Sequence, residues 1–146
     1  MTQTLCEQDL PQESATLPEQ QTILVVDDEP LTLRLLREIL TDVGGYQVLT
    51  ASSSREALLL AAQQDHSPHL LCLDYMLFGS PVNGLELYDL LQERWPGVPG
   101  IVASCNAPEE EVRRRGLRLL VKPFDIERLL RMVQDILSSE PVLTCT

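Results

Sequence analysis

Apolar and polar positions along the chain change period repeatedly, and each change marks an element. Thr22 to Val26 is a short β-branched apolar run that ends at Asp27-Asp28, and from Pro30 the apolar residues Leu33, Leu36, Ile39 and Leu40 recur at helical spacing. Gly44-Gly45 stops that helix. Tyr46 to Ala51 reads as a strand, Ser52 to Ser54 offers an N-cap, and Arg55 to Gln64 reads as a second helix. His69 to Leu73 is a third apolar strand running into Asp74; a loop containing Gly, Ser, Pro and Asn leads to a helix over Leu85 to Arg94, and Pro96 to Pro99 punctuates. Ile101 to Ser104 is the fourth strand, Glu109 to Arg115 a short charged helix, Arg118 to Val121 the fifth strand and Asp125 to Leu137 the closing helix. On that last helix Leu129, Leu130, Met132, Ile136 and Leu137 share the core face.

Strict alternation of strand and helix calls for a parallel sheet with right-handed crossovers and helices on both faces. Five strand–helix pairs fit an α/β, flavodoxin-like doubly wound sheet in the order 2-1-3-4-5, with a shortened fourth helix. The domain is expected over 22–138. Residues 1–21, rich in Gln, Glu, Pro, Ser and Thr and without Lys or Arg, read as a flexible acidic lead-in, and 139–146 as a tail.

Composition narrows the class. A 44% hydrophobic content with few aromatics belongs to an ordinary globular chain, and its 146 residues suffice for a single core. The apolar runs are too short to cross a bilayer and the first twenty residues lack a signal-peptide pattern, so a cytoplasmic location without membrane insertion is expected. A formal net charge of −11 works against direct nucleic-acid binding. Cys6, Cys72, Cys105 and Cys145 show no CxxC pairing and read as reduced thiols, Cys72 and Cys105 as buried packing groups. His66 and His69 read as loop histidines.

In the order 2-1-3-4-5 the first and third strands are neighbours, and ligands bind beyond the carboxyl ends of the strands at that point. There the chain places Asp27, Asp28 and Asp74. Carboxylates held together repel one another unless a cation sits among them, and an oxygen-only set without His or Cys points to magnesium. Asp74, alone on its strand end, is the candidate nucleophile toward a phosphoryl donor. Ser104 and Lys122 end the fourth and fifth strands and would offer a hydroxyl and an ammonium to phosphate oxygens. Lys122 is the only lysine in the chain.

The segments Val-Val-Asp-Asp-Glu (25–29), Leu-Asp-Tyr-Met-Leu (73–77), Asn-Gly-Leu-Glu-Leu (83–87), Ile-Val-Ala-Ser (101–104) and Val-Lys-Pro-Phe (121–124) together resemble a bacterial response-regulator receiver domain, over roughly Thr22 to Leu137. The resemblance implies that Asp27 and Asp28 form a metal-binding pair and that Asp74 is the phosphoacceptor and a metal ligand. It further implies that the Met76 backbone carbonyl joins them, that Ser104 and Lys122 bind the phosphoryl group, and that the Lys122–Pro123 peptide is cis. The chain departs from the pattern in several places. Phe78 stands where proline is usual, the loop Gly79 to Val82 is long, Ser104 to Lys122 is short, Cys105 follows the hydroxyl, and Leu119 replaces an aromatic ring.

The resemblance implies a single-domain response regulator in a two-component system or phosphorelay. Its donor would be a histidine kinase or a histidine phosphotransfer protein, its output would pass through a downstream protein target, and a phosphorylation-dependent homodimer is compatible with it. Such a protein is not an enzyme beyond assisting its own phosphorylation and dephosphorylation. After Leu137 nine residues follow, which leaves no output domain in the chain as given. Arg113, Arg114, Arg115 and Arg118 form a candidate docking patch, or complement a helix dipole. Two other readings compete: a pseudo-receiver that serves as a protein-binding scaffold without phosphorylation, and an aspartyl phosphatase or phosphotransferase, for which no cap domain is evident.

Overall fold

The computed structural model describes residues 20–138, so the tail at 139–146, most of the acidic lead-in, Cys6 and Cys145 lie outside the described residues. The elements are β1 (Thr22–Val26), α1 (Pro30–Glu38), β2 (Gln47–Ala51), α2 (Ser54–Gln63), β3 (Leu70–Asp74), α3 (Gly84–Arg94), β4 (Gly100–Ser104), α4 (Glu109–Arg114), β5 (Arg118–Val121) and α5 (Ile126–Ser138). All pairings are parallel, in the order β2-β1-β3-β4-β5, the expected flavodoxin-like arrangement.

The strands sort their side chains by parity. Leu24, Val26, Leu71, Leu73 and Val102 face one side, where Ala57, Ala61, Leu87, Leu91 and Val112 from α2, α3 and α4 cover them. Ile23, Val25, Cys72, Ile101 and Leu120 face the other, against Leu36 from α1, Leu40 from the turn that follows it, and Leu129 and Val133 from α5. β3 and β4 are buried along their whole length, which is why their sequences are continuous apolar runs rather than alternating ones.

Local chemistry sets the element ends. Ser53 caps α2 by accepting the Glu56 N–H at 3.0 Å. Asn83 and Glu86 close a capping box at 2.8 and 3.0 Å, so α3 starts at Gly84 rather than at Leu85. Asp125 accepts the Arg128 N–H at 2.7 Å and therefore caps α5 instead of opening it. After Glu38, helix α1 widens into a π-helical turn, Ile39–Val43, closed by the Gly44 N–H on the Ile39 carbonyl at 3.1 Å. Gly44 permits this because the Tyr46 ring folds over it, leaving no room for a Cβ. The helix thus reaches the glycine pair by a change of pitch that apolar spacing does not reveal.

The shortened fourth helix is present as six residues, Glu109–Arg114. On α5, Leu129, Met132 and Leu137 are buried, whereas Leu130 and Ile136 are half-buried at the margin of the same cluster. Cys72 is buried as expected, but Cys105 is exposed: β4 ends at Ser104 and the next residue already belongs to the surface loop. His69 belongs to its loop and serves it, accepting the Thr22 N–H on Nδ1 at 3.0 Å.

Candidate functional site: an acidic pocket at the carboxyl edge of the sheet

β1 and β3 run side by side with Val26 opposite Leu73, so the residues that follow, Asp27 and Asp74, emerge together. Asp27, Asp28 and Asp74 each offer a carboxylate oxygen, and these oxygens all lie within 4.8 Å of one another. Asp27 is 2% exposed and Asp74 9%. Asp27 Oδ1 accepts the Glu29 N–H at 2.8 Å, which fixes the turn into α1.

From the other side comes Lys122, just beyond β5. Its N–H donates to the Ser104 carbonyl at 3.0 Å, and the Lys122–Pro123 peptide is cis. The ammonium donates to Asp74 Oδ1 at 3.2 Å and lies 3.7 Å from Asp27 Oδ2. The sheet therefore brings Asp27, Asp28, Asp74 and Lys122 into one pocket.

The electrostatics run in one direction. Burial raises the carboxyl pKa of Asp27 above the ordinary range, against the Glu29 N–H and the Lys122 charge. Burial and the nearby Asp27 charge raise Asp74 in the same way. Burial alone would lower Lys122, but Asp74 and Asp27 outweigh it and hold its pKa high. Beneath the pocket, burial and the Asp27 charge push the Cys72 thiol up to about 12, so it stays protonated. Burial and the closeness of the acids leave the Asp27 and Asp74 carboxylates poorly stabilised, the condition a bound cation relieves. The donor chemistry fits magnesium: hard oxygens, too few to enclose the ion, which leaves coordination positions for water and phosphate.

Ser104 ends β4 beside the pocket and is 4% exposed. Its hydroxyl donates to Asn106 Oδ1 at 3.1 Å and accepts the Asn106 N–H at 2.9 Å. Asn106 is absent from the sequence-based set, although Ser-x-Asn after a strand is a local turn signal. Gly84 is also absent from it: a Cβ there would collide with the Asp74 carbonyl, so α3 packs against the acidic strand end only because residue 84 is glycine. Met76 and Phe78 follow Asp74 in the loop and are 41% and 72% exposed. Leu119 is half-buried against the cluster under α2, α3 and α4, filling with an aliphatic side chain the place of the ring.

Three of the four arginines of the candidate patch are paired with acids. Arg113 pairs with Glu110 at 3.6 Å and Arg114 with Glu111 at 3.1 Å; Arg115 bridges Glu111 at 3.1 Å and Asp89 of α3 at 2.9 Å. Because α4 opens with three glutamates, its arginines are met at helical spacing. Arg118 is exposed on β5. Among the described residues no helix is long and apolar enough to cross a membrane.

A family model described as the response regulator receiver domain matches residues 23–134. The chain is 35% identical over 122 residues to the nitrogen assimilation regulatory protein NtrX of Azorhizobium caulinodans, a match covering 80% of this chain and 26% of that protein. The chain thus spans about a quarter of that relative's length. It is 29% identical over 122 residues to the polar-differentiation response regulator DivK of Brucella ovis, covering 80% of this chain and 95% of that protein. The crystal structure of the receiver domain of NtrX from Brucella abortus superimposes with a TM-score of 0.70 at 34% identity, over 80% of this chain and 98% of the other.

Proposed function

The chain belongs to the response regulator receiver-domain family, and from that membership we propose that it is a phosphorylation switch whose acceptor is Asp74. The supporting observation is the meeting of three carboxylates within 4.8 Å with an ammonium 3.2 Å from Asp74 Oδ1. A metal and a transferring phosphoryl group together call for both kinds of charge around one nucleophile.

Asp27, Asp28 and Asp74, with the Met76 backbone carbonyl, would hold magnesium. When bound, the ion neutralises charge on the transferring phosphoryl group. Asp74 forms a P–O bond through a carboxylate oxygen as the P–N bond of a phosphohistidine breaks, and the electron pair remains on the imidazole. Lys122 faces the incoming phosphoryl oxygens, and its shift from Asp74 to the phosphoryl group compensates the added charge. Ser104 then donates its hydroxyl to a phosphoryl oxygen. Output follows from the altered surface around β4 and β5.

The donor is a histidine kinase or a histidine phosphotransfer protein of the cytoplasm, and the receiver of the signal is another protein. The chain assists its own phosphorylation and dephosphorylation and turns over no other substrate. The test is intact mass after incubation with magnesium and acetyl phosphate, wild type against Asp74→Asn. An added phosphoryl group that requires both magnesium and Asp74 is expected. No added mass in the wild type would overturn the switch and favour a scaffold that docks partners unphosphorylated.

A further inference from the structure

We propose that Asn106 is a positioning residue that holds the switch at rest by tethering the Ser104 hydroxyl, an inference that rests on the phosphoryl-accepting reading of the pocket. A serine hydroxyl has a single O–H to donate. In Ser104 that proton goes to Asn106 Oδ1 at 3.1 Å, while a lone pair takes the Asn106 N–H at 2.9 Å. The hydroxyl therefore has to leave Asn106 before it donates to a phosphoryl oxygen on Asp74.

The surroundings confine this change to a side-chain rotation. β4 lies next to β3 with Ala103 opposite Asp74, so Ser104 is already one residue from the acceptor's neighbour. Its backbone is anchored: the Ala103 carbonyl accepts the Tyr75 N–H at 3.2 Å and the Ser104 carbonyl accepts the Lys122 N–H at 3.0 Å. What remains is the torsion about Cα–Cβ, which has three staggered wells. Ser104 is 4% exposed, whereas Asn106 is exposed. On the adjoining strand Leu119, opposite Val102, is an aliphatic residue that makes no hydrogen bond to the hydroxyl. The restraint on Ser104 thus comes from Asn106.

A neutral side-chain hydrogen bond in competition with water favours the bonded state by about two- to tenfold. Releasing the tether should tighten binding of a phosphoryl analogue by the same factor and leave magnesium affinity alone unchanged, since the hydroxyl contacts only the phosphoryl group. The experiment is calorimetric titration with beryllium fluoride in saturating magnesium, and with magnesium alone, for wild type, Asn106→Ala, Ser104→Ala and the double variant. Expected are about two- to tenfold tighter beryllofluoride binding in Asn106→Ala, unchanged magnesium affinity, and no gain from Asn106→Ala in the Ser104→Ala background. Unchanged beryllofluoride affinity in Asn106→Ala, or a gain that persists without the Ser104 hydroxyl, overturns the tether while leaving the switch standing. Absence of beryllofluoride binding in the wild type overturns the switch and the tether with it.

Discussion

Lys122 Nζ lies 3.2 Å from Asp74 Oδ1, although the two residues come from strand ends two places apart in the sheet. This cation is all that the described side chains set against Asp27 and Asp74. Lys122→Met should act in opposite senses on two measurements. The more negative pocket should bind magnesium more tightly. Phosphorylation by acetyl phosphate should slow by about ten- to hundredfold, the cost of losing a charge-assisted contact to the transferring group. Titration with magnesium and timed intact-mass spectra separate the two effects, and an unchanged rate would remove Lys122 from the chemistry.

Asp74 illustrates how a buried carboxylate costs stability. Its folded-state pKa is raised above 3.8, by burial first and by Asp27 second. A raised carboxyl favours folding fully only below the unfolded value, and that contribution is lost as pH rises through the folded value. At neutral pH the metal-free protein therefore carries an unfavourable charge. Asp74→Asn should be more resistant to urea than wild type at pH 7.5 without magnesium, and its advantage should shrink toward pH 4. Magnesium should raise the wild-type midpoint more than that of the variant. Equal midpoints at pH 7.5 would contradict the charge repulsion.

The strand order and the acidic pocket were legible because each rests on a pattern the chain repeats: apolar runs of strand length, helical spacing between them, and aspartates at the ends of two runs that the sheet order makes neighbours. Gly84 was not legible because its role depends on a distance across the fold, whereas Asn106 lies two residues from Ser104 and its turn signal does not reveal which atom takes the hydroxyl proton. Gly84 matters through the Asp74 carbonyl, and Asn106 through the one proton of Ser104. The arginines, read either as a docking patch or as complements of a helix dipole, show a related limit: a run of like charge does not reveal the acids of the neighbouring turn and of α3 that lie beside it. Cys105 misled because one residue of strand length decides whether a side chain is buried.

Gly84→Ala should loosen the junction of β3 and α3. The added methyl meets the Asp74 carbonyl, which is backbone and cannot swing aside, so α3 has to move. Overpacking of this kind costs about 1–3 kcal/mol. Urea unfolding should show that loss together with weaker magnesium binding, because the clash falls on the backbone carbonyl of Asp74 itself. Asn83→Ala, which removes the capping box without touching Asp74, should cost about 1 kcal/mol and leave magnesium affinity unchanged.

The two described cysteines should differ sharply toward alkylation. Cys105 is exposed, whereas Cys72 is buried with its pKa pushed up to about 12. Iodoacetamide at pH 8 should modify Cys105 in the native protein and reach Cys72 only after unfolding. Peptide mapping after brief labelling reads this directly, and rapid native labelling of Cys72 would mean that the sheet opens beneath the pocket.

Arg115 should prove the arginine that matters to the fold. Its side chain is 19% exposed and its guanidinium engages Asp89 through two hydrogen bonds of 2.9 Å, and Asp89 is the first cause of its raised pKa. The same group reaches back to Glu111, so it fastens the end of α4 onto α3. A helix of six residues is too short to persist by its own hydrogen bonds, and this fork anchors its end alongside the buried Val112. Arg115→Ala should lower the unfolding free energy by about 1–2 kcal/mol, and coupling with Asp89→Ala should account for most of it. Arg114→Ala, which removes an exposed pair, should change stability by less than about 0.5 kcal/mol. Amide exchange over 109–114 distinguishes a clamp from a bystander. Exchange there should quicken in Arg115→Ala while α2 and α5 keep wild-type protection, and uniform exchange across all three helices would assign the loss to the whole domain rather than to the α4 anchorage.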